Sequence, residues 1–193
     1  INGRGVVKVE YKLSADPSLP VIPRIGMQCG IRRDLDRISW YGRGPLENYI
    51  DRRYGFDAAV YSLSLTDFGE PYVQPQENGN RTDVRWMNFT GSSRPGLLVL
   101  ADSLLSMSAW PYTEKNIEMA RHTNELEESG FITLNIDLVQ MGVGGNDSWS
   151  ETGRPLEKYR IRPGNYHYSF YMAPADGEKR WTKDELEKIK FNY

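Results

Sequence analysis

Apolar and polar residues alternate with a period of two along much of this chain, the spacing of strands that bury one face. Val7, Val9, Tyr11 and Leu13 alternate with Lys8, Glu10 and Lys12, and Ile25, Met27, Cys29 and Ile31 alternate with Gly26, Gln28 and Gly30. Similar runs predict strands over 37–41, 60–65, 82–89, 96–101, 104–110, 131–141, 156–162 and 166–173, about ten in all. In 104–110 the serines Ser106 and Ser108 are expected to face water or carry hydrogen bonds, opposite Leu105, Met107 and Ala109.

Turn chemistry separates the runs: Asp16-Pro17, Gly42 to Pro45, Asn78-Gly79, Arg94-Pro95-Gly96, Gly142 to Gly145 and Pro163-Gly164-Asn165. Since no long helical pattern links one strand to the next, a parallel βαβ sheet is disfavoured and an antiparallel all-β sandwich is expected. Two short helices are predicted. Thr113 caps one over 114–122, with His122 in its last turn, and Thr182 with Glu185 forms a capping box for another near the end. With no repeat and no interior linker, the division expected is one β-domain over 1–174 and a helical tail over 175–193.

Charge narrows the function classes. In 193 residues, 24 Lys and Arg against 26 Asp and Glu leave a formal charge of −2, so no net basic field gathers nucleic acid or anionic lipid. The longest apolar run, Leu97 to Ala101, is far short of the ~20 residues of a membrane-spanning helix. A single cysteine, Cys29, excludes an internal disulfide. The opening Ile1-Asn2-Gly3 without Met, followed at once by a strand pattern, leads us to expect a piece of a longer chain. Aromatics are 12% of the residues, and Tyr and Trp outnumber Phe by 17 to 6, which suits half-wet faces and sugar sites but is common in β-proteins too.

Candidate chemistry is sparse. His122 and His167 belong to no metal-ligand spacing, and Cys29 sits on an apolar face where a thiol behaves as a small hydrophobe. The Gly142 to Asp147 loop lacks the Lys-Ser/Thr that a phosphate cradle needs; Asn146 and Asp147 offer oxygen ligands, but without EF-hand spacing. Asn88 and Asn146 head glycosylation sequons. Glycoside cleavage needs two carboxyl groups, yet spacing selects no pair among Glu47, Asp51, Glu70, Glu77, Asp137 and Asp147.

Four blocks taken together are more specific. Trp40 to Tyr49 with Asp51-Arg52, Pro71 to Arg81, Leu134 to Asp137 running on to Met141 to Ser150, and Gly164 to Tyr168 resemble the C-terminal β-domain, of small-chain type, of the family-two β-galactosidases. The resemblance runs in order over about residues 5 to 174. It implies an antiparallel β-supersandwich like that of the galactose mutarotases, followed here by a short C-terminal helix. It also implies membership of a retaining enzyme that hydrolyses terminal β-galactosides: the family's catalytic glutamates lie on a (β/α)8 barrel with no counterpart here, so no catalytic residue is expected and the isolated chain is expected to be inactive.

The same resemblance assigns Trp149 to the rim of the galactoside pocket, on a loop supported by Gly144, Gly145, Asn146 and Asp147. A ring packed under its own loop is the alternative. No cofactor is expected in this chain, and a divalent cation or sodium belongs to the parent's barrel. The implied partners are the galactoside, that barrel, the missing front part of the same domain and further copies of the parent. Glu77 with Arg81 is expected to brace a turn, and Glu47, Asn48, Asp51 and Arg52 to form a hydrogen-bonded corner. A free-standing sugar-binding or mutarotase-like module is the alternative function; the length of the parent reading frame separates the two.

Overall fold

The computed structural model describes residues 1–145, 147, 150–177 and 181–191. Among these, eight strands run antiparallel: β1 (Val7–Ser14), β2 (Arg24–Arg32), β3 (Arg37–Arg43), β4 (Ala58–Ser64), β5 (Arg81–Thr90), β6 (Gly96–Trp110), β7 (Phe131–Gln140) and β8 (Asn165–Ala175). Three α-helices accompany them, α1 (Leu65–Phe68), α2 (Glu114–Met119) and α3 (Lys183–Phe191). The architecture is all-β and antiparallel with one short C-terminal helix, as the alternation and turns predict.

The 15-residue β6 is the spine. Along one edge it keeps β5; along the other its first half, Gly96 to Ala101, pairs with β8 and its second half, Ser106 to Trp110, pairs with β7. From that exchange the β1–β8 arm and the β2–β7 arm diverge, and the main core lies between them: Tyr168 and Phe170 from one, Ile132, Leu134 and Ile136 from the other, with Trp40, Phe68 and Met107. The two runs expected over 96–101 and 104–110 are therefore one strand, in which exposed Asp102 and Ser103 mark the change of partner, not a turn.

The run Leu97 to Ala101 is continuous because β6 is buried on both faces. Val99 and Ala101 enter the main core, while Leu98 and Leu100 join Trp86, Tyr171 and Ala173 in a second cluster covered by Trp181, Leu186 and Ile189. The capping box that starts α3 is present, with Glu185 N donating to Thr182 Oγ1 at 3.3 Å and Thr182 N to Glu185 Oε2 at 2.9 Å. This tail covers a sheet face.

Two elements differ from expectation. The 156–162 segment is a 3-10 turn, Glu157–Tyr159, and a single bridge from Ile161 to Ile22; Tyr159 N bonds back to Leu156 O at 2.8 Å, and Arg162 pairs with Glu157. The helix capped by Thr113 stops at Met119, and His122 instead precedes a 3-10 turn over Thr123–Glu125.

Candidate functional site

The site is built on the chain that leaves β3. Asn48, fully buried, accepts from Thr82 N at 2.9 Å and Thr82 Oγ1 at 2.6 Å, and its carbonyl accepts from Asn80 Nδ2 at 2.8 Å. Glu47 accepts from Gly79 N and Arg52 Nη2, each at 2.8 Å, from Tyr49 Oη at 3.3 Å and from Tyr72 Oη. Burial, helped by Glu47, holds the Tyr49 phenol far above its ordinary range, so it stays protonated and keeps its donation to Glu47. Residues 47 to 52 thus form the expected corner, tied to the entry of β5.

Arg81 is also buried, but it does not brace Glu77. It donates to Gly79 O at 2.9 Å and Phe68 O at 3.1 Å and lies 4.3 Å from the Phe68 ring centroid, while burial pulls its guanidinium down to about 10. Glu77 instead pairs with Arg24, which also contacts Glu114 at 3.5 Å and the buried Asp137 at 3.1 Å. Dehydration pushes the Asp137 carboxyl up to about 7, with Arg24 opposing and Glu114 adding to the rise. Arg24 was not singled out by the sequence; the signal for it was Asp137 itself, an acid on a strand whose alternate residues are core. Asn135 extends this polar patch, accepting from Gln28 Nε2 at 2.9 Å and donating to Ser108 Oγ at 3.0 Å, the bond expected of that serine.

The corner's outward contact is with the glycine loop. Asp51 Oδ2 accepts from Gly144 N at 2.9 Å, and a Cβ at Gly142 would lie 2.5 Å from the same oxygen. Gly144 has φ +88° and passes so near Gly153 that a Cβ would meet its carbonyl oxygen at 1.8 Å. Gly145 N donates to Gly153 O at 3.2 Å, and both Ser150 N and Ser150 Oγ donate to the Asp147 carboxylate at 2.6 Å. Of the predicted site residues, Gly144 contacts Asp51 directly, while Gly145 bonds Gly153 and Asp147 accepts from Ser150. Trp149 and Asn146 lie outside the described residues.

The other candidates fall into place individually. His122 and His167 are exposed, and Cys29 is half-buried against the main core, where burial pushes its thiol up. Asn88 is fully buried, with Nδ2 donating to Gly177 O at 3.3 Å, so that sequon is closed to a glycan in the folded chain. Among the described residues no three or more His, Cys, Asp or Glu side chains converge to hold a metal ion. Where acids do gather, the Arg24 guanidinium stands between them. A separate cleft of about 390 Å³ between α1 with the 70–78 segment and the 109–128 excursion is lined by Tyr72, Trp110, Tyr112 and Ile117 and contains none of the predicted site residues.

Comparison with known proteins points to a family of enzymes. The family model described as beta-galactosidase small chain matches residues 1–172. A beta-galactosidase of Priestia megaterium is 38% identical over 151 residues, which is 78% of this chain and 15% of that protein. One of Pseudoalteromonas haloplanktis is 34% identical over 174 residues, covering 90% of this chain and 16% of that protein, and one of Lactococcus lactis 34% over 167, covering 86% and 16%. The chain therefore spans about one-sixth of the length of these curated relatives.

Proposed function

The chain belongs to the beta-galactosidase small-chain family, and from that premise we propose that it is the C-terminal sugar-rim domain of a larger retaining enzyme acting on terminal β-galactosides. The observation that carries this is the coverage: relatives named beta-galactosidase align with 78–90% of this chain and with only 15–16% of themselves. Hydrolysis with retention needs two carboxyl groups about 5 Å apart, and the reading assigns both to a barrel outside this chain. The acids here are committed elsewhere: Glu47 to four donors, Asp51 to the glycine loop, Glu77 and Asp137 to Arg24.

What this chain contributes is a loop anchored at both ends. Gly142 to Gly145 is pinned to the corner, and Asp147 braces Ser150, so the segment bearing Trp149 departs from and returns to defined points. We assign Trp149 to the galactoside rim, where an indole face stacks on the C–H face of a sugar while the hydroxyls remain hydrated. A single stacked ring is worth about 1 kcal/mol by analogy with aromatic pairs, about fivefold in affinity. In the parent enzyme, Trp149→Ala is expected to raise KM and weaken acceptor-sugar binding several-fold while changing kcat less. Steady-state kinetics with a chromogenic galactoside and added glucose measure this; unchanged KM and acceptor affinity in a folded variant would remove Trp149 from the rim. The isolated chain serves as control and is expected to turn over no galactoside.

A further inference from the structure

We propose that Asp51 is the positioning residue for the sugar rim: its carboxylate fixes the backbone of Gly142 to Gly145, where the chain enters the loop that bears Trp149, and through it the approach of that loop to the galactoside. The proposal rests on the assignment of that loop to the rim. It starts from a contact between segments 93 residues apart, Gly144 N to Asp51 Oδ2 at 2.9 Å. The loop's glycines are shaped around this carboxylate. Gly142 leaves the space that Asp51 fills, and Gly144 takes a left-handed φ of +88° that turns its N–H onto the oxygen while its Cα presses on Gly153. A glycine-rich turn with an N–H directed at an oxyanion is a nest for an anion. Here the protein supplies that anion itself.

Asp51 is held as firmly as it holds. It lies in the turn closed by Arg52 N to Tyr49 O at 2.9 Å, and Arg52 is clamped by the buried Glu47. The next residue, Arg53, binds Asp83 Oδ1 at 2.8 Å, and Asp83 is a non-glycine residue at φ 54° gripped also by Arg43 Nε at 2.6 Å. A left-handed aspartate persists only where its surroundings over-determine it. The second oxygen of Asp51, Oδ1, is buried and has no hydrogen-bond partner among the described residues, so this carboxylate is dehydrated around its contact with the loop. The corner, placed by buried hydrogen bonds, thereby transfers its position to the loop through one side chain.

The test uses the full-length parent enzyme with Asp51→Ala, Asp51→Asn, Trp149→Ala and the Asp51→Ala/Trp149→Ala pair. Asp51→Ala is expected to raise KM about fivefold with kcat within about twofold, and the pair to be no worse than Trp149→Ala alone, because both remove one function. Asn retains an oxygen for Gly144 N and is expected to restore most of the affinity. Hydrogen exchange of the 141–153 segment reads the loop directly: faster in Asp51→Ala, near native in Asp51→Asn. An unchanged KM and exchange in Asp51→Ala, or an additive double variant, would overturn the positioning role. If Trp149→Ala leaves KM unchanged while exchange still responds to Asp51→Ala, it is the rim assignment that fails, and the sugar-facing part of this proposal with it. Should the alanine variant not fold, Asp51→Asn carries the test: a fivefold rise in KM with native exchange would contradict the proposal.

Discussion

Asp137 shows what a dehydrated acid does to its own protein. An unfolded aspartate ionises near 3.8, whereas in the fold the carboxyl is pushed up to about 7 by burial, against the pull of Arg24 and with the added push of Glu114. Between those values the folded protein keeps a proton that the unfolded chain has released. The stability linked to this group is therefore complete below about pH 4 and lost as pH rises through about 7. Asp137→Asn removes the titration at nearly constant shape. Denaturant midpoints at pH 4, 6 and 8 should show the variant gaining on the native chain as pH rises, on the order of 4 kcal/mol across the window. A difference independent of pH would place the titration elsewhere. The raised value belongs to a side chain that spacing alone could not single out among six acids, since burial and the Arg24 contact arise only when β2 and β7 pair.

At the scale of elements, α3 has the most definite consequence. The family match ends at residue 172, and the helix beyond it seals a sheet face with Trp181, Leu186 and Ile189, adding an ion pair from Lys190 to Asp102 at 3.1 Å. Removing residues 178–193 uncovers Leu98, Leu100, Trp86 and Tyr171, which at roughly 1 kcal/mol for each half-buried apolar cover residue should cost about 2–4 kcal/mol. Lowered denaturant midpoint and new binding of a hydrophobic dye are the expected readings; an unchanged midpoint would show that the helix covers nothing that matters to stability. The helix itself was legible from its capping box, and most strands from alternation and turn residues. What it covers was not legible, because a run such as Leu97 to Ala101 does not say which of its two faces meets the tail. Nor could local sequence separate a change of strand partner at Asp102-Ser103 from a turn, since both favour small polar residues. The 3-10 turn over Glu157–Tyr159 was missed for a related reason: its alternating pattern is overridden by the local bond from Tyr159 to Leu156.

Across the whole molecule, the glycine loop could be recognised as a loop but its anchor could not, because Asp51 and Gly144 are neighbours only after β3, β5 and β7 have assembled. The same long reach appears in the sheet, where Val7 lies opposite Met172 and Ser14 opposite Asn165. Among the described residues β1 pairs only with β8, and during synthesis it leaves the ribosome well before that partner exists. Contacts this distant in sequence slow folding, and an unpaired edge is open to pairing with another chain. Lys8, Glu10 and Lys12 alternate along β1, and such charges discourage a waiting edge from joining its like. Replacing the three with Thr should leave the folded register intact yet lower the yield of refolding as protein concentration rises. Equal yields at low and high concentration would relieve those charges of the task. In this sense the strand's polar residues protect a state that the finished structure no longer contains.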